Sequence, residues 1–211
     1  MFPPQTKIVF QSLFPSLFFS RSNLGEKKLD LLVIGATASS VYKQRIPLDK
    51  QISQMSERYK IEFSHLVWLM GAYWKGPVYY VDPSTKSPVA YLNKWFEYLG
   101  SAKYVIFGRM KYPILAWKYY ETLGSGAIPI FPDVPDLKYL GVKPFKHYIP
   151  LSEVEGNNQK LTYYLDNYEK FSSIAKNAVN WYNENSDRML FEDFENLIRG
   201  ITNYKYPKRL T

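Results

Sequence analysis

The segment 118–133 constrains the fold of this chain more than any other. It combines the end of a helical pattern, two glycines at 124 and 126, and the apolar run 127–131. Glycine commonly ends a helix because it adopts positive φ without strain. A run without polar residues is typical of a strand buried on both faces of a parallel sheet. Together they predict an open α/β sheet, whose ligands bind beyond the carboxyl ends of the strands.

Strand-like and helical patterns alternate along the chain. The predicted strands are 29–36, 78–81, 104–107, 127–131 and 147–151, and residues 61–75 fit either a strand or a helix. The predicted helices are 47–59, 88–98, 113–123 and 134–140, followed by two or three helices between 158 and 203. This alternation predicts a single Rossmann-like three-layer α/β domain with a parallel sheet and right-handed crossovers. We expect an N-terminal linker (1–26), the Rossmann-like domain itself (27–155) and C-terminal helices packed on the same domain (156–211).

Composition excludes several classes of function. The absence of cysteine excludes disulfides, thiolate metal sites and a cysteine nucleophile, and it is compatible with a reducing, cytoplasmic compartment. Two histidines without a helical His pair do not form a zinc set. No apolar run reaches the roughly 18 residues of a membrane span, so we expect at most peripheral membrane contact.

The net charge of +8 favours anionic partners such as nucleotide phosphates, nucleic acid or an acidic membrane surface. The lysines are spread along the chain without a dense block, so an ordinary solvated surface is the alternative. No nucleic-acid-binding motif is present, and no specific nucleic-acid partner is expected.

Residues 108–113 form the first candidate anion site, because a glycine and two cations precede a predicted helix start. Backbone N–H groups at a helix N-terminus bind phosphate, and Arg109 and Lys111 add positive charge. The alternative is that both cations are solvated loop residues.

The loop after the first predicted strand is the second candidate. Gly35 lets a ligand approach the backbone, the Thr37 hydroxyl can reach phosphate oxygens, and Arg45 could fold back over the loop. Arg45 could equally be a surface group at the start of a helix. The loop matches neither G-x-x-x-x-G-K-[ST] nor G-x-G-x-x-G, so ATPase and ordinary dinucleotide-binding functions lose support.

Three further residues could take part in chemistry. Glu121 could accept hydrogen bonds from ribose hydroxyls, or form a surface pair with Lys118 worth a few tenths of a kcal/mol. Asp133 and His147 are catalytic candidates, but we expect Asp133 to cap the following helix and His147 to be structural. No D-x-D motif is present, so the usual metal–diphosphate clamp is missing and no metal cofactor is expected.

Residues 29–47 and 103–151 resemble the C-terminal, donor-nucleotide half of GT-B glycosyltransferases of the glycosyl-transferase family-1 type. The most specific piece is 120–129, which matches the family's run of Glu, small residue, Gly, small residue and Pro. The resemblance implies that Glu121 binds the donor ribose and that the backbone of Ile114 and Leu115 holds the diphosphate. It also implies that Arg45 and Lys111 neutralise the leaving group and that Gly35 gives the loop room.

The chain departs from the family pattern in two respects. Pro113 stands where many retaining members carry a second Glu, and 211 residues correspond to one of the two GT-B domains. The resemblance therefore implies a hexosyl- or deoxyhexosyltransferase, or its donor-binding domain, with a second domain or subunit supplying the acceptor half. The expected reaction moves a sugar from a nucleotide-diphosphate sugar, expected to be UDP-linked, to a glycan or other hydroxyl acceptor. The alternative is a non-catalytic nucleotide-sugar-binding or scaffold domain of a larger glycan-synthesis protein.

Overall fold

The computed structural model describes residues 26–35, 45–64, 98–110, 113 and 115–202, with side chains through residue 185 except those of Ser64 and Trp117. Several sequence predictions lie outside the described residues: the 1–25 segment, the strand at 78–81 and most of the helix at 88–98. The candidate site residues Thr37, Lys111 and Ile114 lie outside them as well.

Within the described residues, five parallel strands form one sheet in the order β2-β1-β3-β4-β5. Their bounds are Leu29–Ile34 (β1), Ile61–Ser64 (β2), Ala102–Ile106 (β3), Ile128–Phe131 (β4) and Ile149–Pro150 (β5). The prediction of a parallel α/β sheet is confirmed, and the ambiguous segment after residue 60 begins as a strand.

The helices follow the strands as the sequence predicted. Those that lie wholly within the described residues are Ile46–Ser53 (α1), Trp117–Gly124 (α2), Pro135–Tyr139 (α3), Asn158–Asp166 (α4) and Tyr168–Thr202 (α5), with a 3₁₀ turn at Leu151–Glu153. After α2, Gly126 adopts φ +80°, so the predicted glycine turn before β4 is confirmed.

The core has two parts, one on each face of the sheet. Successive residues of β1 alternate between them: Leu32 packs in the part that α2 covers, and Leu31 packs in the part that α1 and α4 cover. Helix α5 contributes to both, with Ile174 in one and Tyr182 in the other. This arrangement gives the predicted three layers.

Two predicted helix bounds are wrong. The helix predicted from Pro113 begins four residues later at Trp117, because Ala116 is extended (φ −116°, ψ 164°) and the Leu115 N–H donates to Asp136 Oδ2. The helix predicted to reach Tyr59 ends at Ser53 and continues as turns. The Tyr59 hydroxyl donates to Asp166 Oδ1, which ties that residue to the end of α4.

Candidate functional site

The sheet order defines a crevice between β1 and β3. The chain leaves β1 toward β2 on one side and leaves β3 toward β4 on the other, so the connections diverge between these two neighbouring strands. Open α/β sheets bind ligands at such a switch point, beyond the carboxyl ends of the strands. Gly35 follows β1 and Gly108 follows β3, so both lie at this edge.

The side chain of Arg45 lies against both glycines. A Cβ added to Gly35 would be 2.8 Å from Arg45 Nη1, and one added to Gly108 would be 2.8 Å from Arg45 Cγ. Arg45 is only 3% exposed, and its Nε–H donates to the carbonyl oxygen of Arg109 at 3.1 Å. The two glycines thus make room for a buried guanidinium that is held at the crevice.

Lys118 brings a second cation to the same place. Its Nζ would be 3.5 Å from a Cβ on Gly35 and lies 4.6 Å from the centroid of the Phe107 ring, a cation–π contact. Lys118 stands in the first turn of α2, which has no acidic residue and no side-chain cap. Burial, and then the positive charge of Arg45, lower the pKa of Lys118 to about 7.

Glu121 lies one turn further along α2 and is half-buried. Its carboxylate raises the pKa of Lys118, but burial and Arg45 lower that pKa by more. The carboxylate is therefore electrostatically coupled to the crevice. Its role in holding a ribose stays a prediction.

Two other predicted binding groups already have partners in the protein. Arg109 pairs with Glu155, whose Oε2 lies 3.0 Å from both Nε and Nη2 of the guanidinium. The Leu115 N–H donates to Asp136 Oδ2 at 3.2 Å. A ligand that used either group would have to compete with these contacts.

The two catalytic candidates lie at opposite edges of the sheet. Asp133 follows β4 and is exposed, and its Oδ1 accepts a hydrogen bond from the Tyr148 hydroxyl. The predicted cap is wrong, because the residue at the N-cap of α3 is Val134 and no side chain caps it.

His147 precedes β5 at the amino edge, away from the crevice. Its ring is buried and Nδ1 accepts from the Lys143 N–H at 3.0 Å. Burial, followed by the charges of Lys146 and Lys143, lowers the pKa of His147 to about 4. A neutral, buried ring agrees with the structural role that the sequence favoured.

Lys118 is the site residue that sequence reasoning missed. The sequence suggested only that it forms a surface pair with Glu121. A lysine in the first turn of a helix opposes the helix dipole, and this is the signal that marks it. The predicted start at Pro113 placed Lys118 beyond that first turn, so the signal was hidden.

Within the described residues, no group of three or more His, Cys, Asp or Glu side chains could hold a metal ion. In the same part of the chain, no helix has both the length and the apolar character needed to cross a membrane.

No protein-family model and no curated protein matches the chain. Among solved structures, the chain is similar to sucrose-phosphate synthase from Thermosynechococcus elongatus, with a TM-score of 0.47 and 14% identity, over 82% of this chain and 38% of that one. It is also similar to the pneumococcal O-GlcNAc transferase GtfA in complex with UDP and GlcNAc, with a TM-score of 0.47 and 12% identity, over 87% of this chain and 38% of that one.

Both of these proteins are glycosyltransferases. The chain spans well under half the length of either. At these TM-scores and identities, the similarity shows neither an activity nor a ligand for this chain.

Proposed function

We propose that this chain binds the nucleotide-diphosphate part of a nucleotide sugar in the crevice between β1 and β3, as a glycosyltransferase or its donor-binding part. The observation that carries the proposal is the convergence of two cations, Arg45 and Lys118, on the switch point beside Gly35 and Gly108. The first turn of α2 adds its positive dipole end and no acidic residue. An anion with several negative charges fits such a place best.

Each part of the ligand has a candidate partner. The guanidinium of Arg45 is planar and always charged, which suits contact with phosphate oxygens. Glu121, one turn along α2, would accept hydrogen bonds from the two ribose hydroxyls. The uracil base is a proposal that rests on the family resemblance.

The chemistry that fits this arrangement is sugar transfer. The bond between the anomeric carbon and the terminal phosphate oxygen breaks, the acceptor hydroxyl oxygen bonds to that carbon, and a nucleoside diphosphate leaves. Arg45 and Lys118 would stabilise the negative charge that develops on the leaving phosphate, so the proposal needs no metal ion. A second domain or subunit would supply the glycan or other hydroxyl acceptor and the group that takes its proton.

Calorimetric titration with UDP, GDP and dTDP tests the proposal. We expect one of them to bind, and Glu121→Ala to weaken that binding about tenfold, as the loss of a charged hydrogen-bonding group does. Glu169→Ala, which changes an exposed glutamate at the start of α5, is the matched control and should bind as the wild type does. If no diphosphate binds, or if Glu121→Ala binds unchanged, the proposal is wrong.

A non-catalytic binding module is the second candidate. It is favoured by the exposed Pro113, where the family resemblance leads one to expect a second Glu, and by the engagement of Asp133 with Tyr148. Hydrolysis and transfer assays with the donor sugar of the nucleotide that binds separate the two candidates. Binding without turnover in the presence of acceptors would favour the module.

A further inference from the structure

The surroundings of Lys118 Nζ disfavour a charged ammonium while the crevice is empty. The residue lies in the first turn of α2, at the positive end of the helix dipole. The Arg45 guanidinium is close by, since both groups approach the same side of Gly35. Among the described residues, none accepts a hydrogen bond from Nζ, which lies beside Gly35 and 4.6 Å from the centroid of the Phe107 ring.

The neighbouring elements offer little compensation. Within the part of the chain that the structure describes, the charged groups that act on Lys118 are Arg45, from the segment before α1, and Glu121, from α2 itself. At this edge β1 and β3 lead into Gly35 and Phe107, neither of which is titratable. Burial is the largest influence and Arg45 the next, and together they outweigh Glu121 and lower the pKa of Lys118 to about 7.

We propose that Lys118 takes up a proton from solvent when a diphosphate enters the crevice and returns it when the diphosphate leaves. This inference rests on the proposed function and adds a coupling between ligand and proton to it. A phosphate oxygen near Nζ supplies both the missing hydrogen-bond acceptor and the negative charge that an ammonium needs. No bond in the ligand changes, and the proton comes from bulk water.

The coupling makes affinity depend on pH with a defined sign. Above neutral pH the empty site holds mostly the neutral amine, so binding includes a protonation step that becomes harder as pH rises. The affinity for a diphosphate should therefore fall about tenfold between pH 7 and pH 8.5. A nucleoside diphosphate product would leave more readily at alkaline pH.

Calorimetry of the full chain with UDP at pH 8, in buffers that differ in ionisation enthalpy, counts the protons taken up. The wild type should take up roughly 0.8 proton per UDP bound. The terminal phosphate of UDP, with a pKa of about 6, is already ionised at this pH and contributes little. Lys118→Arg, whose side chain stays charged, should take up almost none and should keep its affinity up to pH 8.5.

Lys138→Met is the matched control, because Lys138 is an exposed lysine on α3. It should retain the uptake of the wild type. Uptake that persists in Lys118→Arg would assign the proton to another group and overturn the inference. UDP binding by the wild type without proton uptake would overturn the inference alone and leave the proposed function standing.

Titration with inorganic pyrophosphate distinguishes a failure of the nucleotide assignment from a failure of the anion site itself. If pyrophosphate binds with proton uptake and no nucleotide binds, the inference holds for the anion and the nucleotide assignment fails. If neither binds, both fail. Carbon-13 NMR of the lysine side chains gives an independent check: in the free protein, the signal that Lys118→Arg removes should titrate near neutral pH. Titration in the ordinary lysine range would contradict the inference.

Discussion

Gly35 and Gly108 are both required beside Arg45, but for different physical reasons. Gly35 has φ +115°, which strains any other residue, and a Cβ there would also crowd Arg45. The φ angle of Gly108 is not positive, so a side chain there would not strain the backbone. It would only crowd the side chain of Arg45. Gly141 has φ +72° with nothing within 4 Å of an added Cβ, and it thus isolates the backbone effect.

Alanine at these three positions should separate crowding from backbone strain. We expect Gly108→Ala to lower the free energy of unfolding by about 1–3 kcal/mol through overpacking. Gly141→Ala should cost about 1 kcal/mol through backbone strain alone, and Gly35→Ala should cost the most. Urea unfolding measures all three. A Gly108→Ala variant with wild-type stability and wild-type UDP affinity would contradict the packing that we assign to Arg45.

Lys118 predicts a pH-dependent stability in the free protein. Its pKa is about 7 in the folded state, below the ordinary lysine value of the unfolded state, so the unfolded state binds more protons between the two values. Stability of the wild type therefore gains a contribution as pH rises through that window. Lys118→Met lacks this contribution, so its stability relative to the wild type should fall by on the order of 1 kcal/mol from pH 6.5 to pH 8.5.

Urea unfolding without ligand at both pH values checks this prediction. Lys138→Met is again the control, and its stability relative to the wild type should not change with pH in this way. A relative stability of Lys118→Met that stayed constant, or rose with pH, would show that the lysine is not held uncharged.

At the scale of elements, Lys27 joins the turns that precede two strands. Its Nζ donates to the Gly100 carbonyl at 2.7 Å and to the Gly126 carbonyl at 2.8 Å, just before β3 and β4. Burial lowers the pKa of Lys27 to about 8. The residue thus joins the amino end of β1 to the amino ends of β3 and β4.

Lys27→Met should lower the free energy of unfolding by about 1–3 kcal/mol, because two partly buried carbonyls lose their donor. Lys28→Met is the adjacent control, since Lys28 is exposed, and it should change stability by less than about 0.5 kcal/mol. Equal effects of the two substitutions in urea unfolding would contradict the role of Lys27.

Elements with a strong local signal were predictable from the sequence. The apolar run of β4 and the turn at Gly126 follow directly from residue type. The start of α2 could not be predicted from residue type, because it depends on a tertiary contact in which Asp136 accepts a hydrogen bond from the Leu115 N–H. A pattern read along the chain contains no information on that contact.

The candidate site was predictable only in part, for a related reason. Glycines after strands and a carboxylate on the following helix mark Gly35 and Glu121 by pattern. The pairing of Arg109 with Glu155 joins residues 46 positions apart, and the cationic role of Lys118 depends on where α2 begins. Neither the Arg109–Glu155 pair nor the role of Lys118 could be predicted without the three-dimensional structure.

At the scale of the whole molecule, the strand order places the site. The order β2-β1-β3-β4-β5 sets the switch point beside β1, and Arg45 reaches it because α1 follows β1. At the opposite, amino edge, Lys103 pairs with Asp30 at 2.8 Å. Arg45 and Lys118 lie at the carboxyl edge, beside this switch point.

Ligand binding at this edge should stabilise the whole fold. UDP at about 100 times its Kd should raise the free energy of unfolding by about 2.7 kcal/mol, and added salt should reduce this gain by weakening the affinity. Thermal unfolding at fixed UDP measures it. Arg45→Lys should lose much of the gain and Lys103→Met should keep it, whereas the reverse pattern would place the ligand at the amino edge.

A crystal structure of the chain with UDP tests the central claim most directly. We predict that the diphosphate lies beside Gly35 and Gly108, with phosphate oxygens in contact with Arg45 and Lys118 and ribose hydroxyls within hydrogen-bonding distance of Glu121. UDP bound at the amino edge around Lys103, or an empty crevice at a concentration that saturates binding in solution, would contradict it.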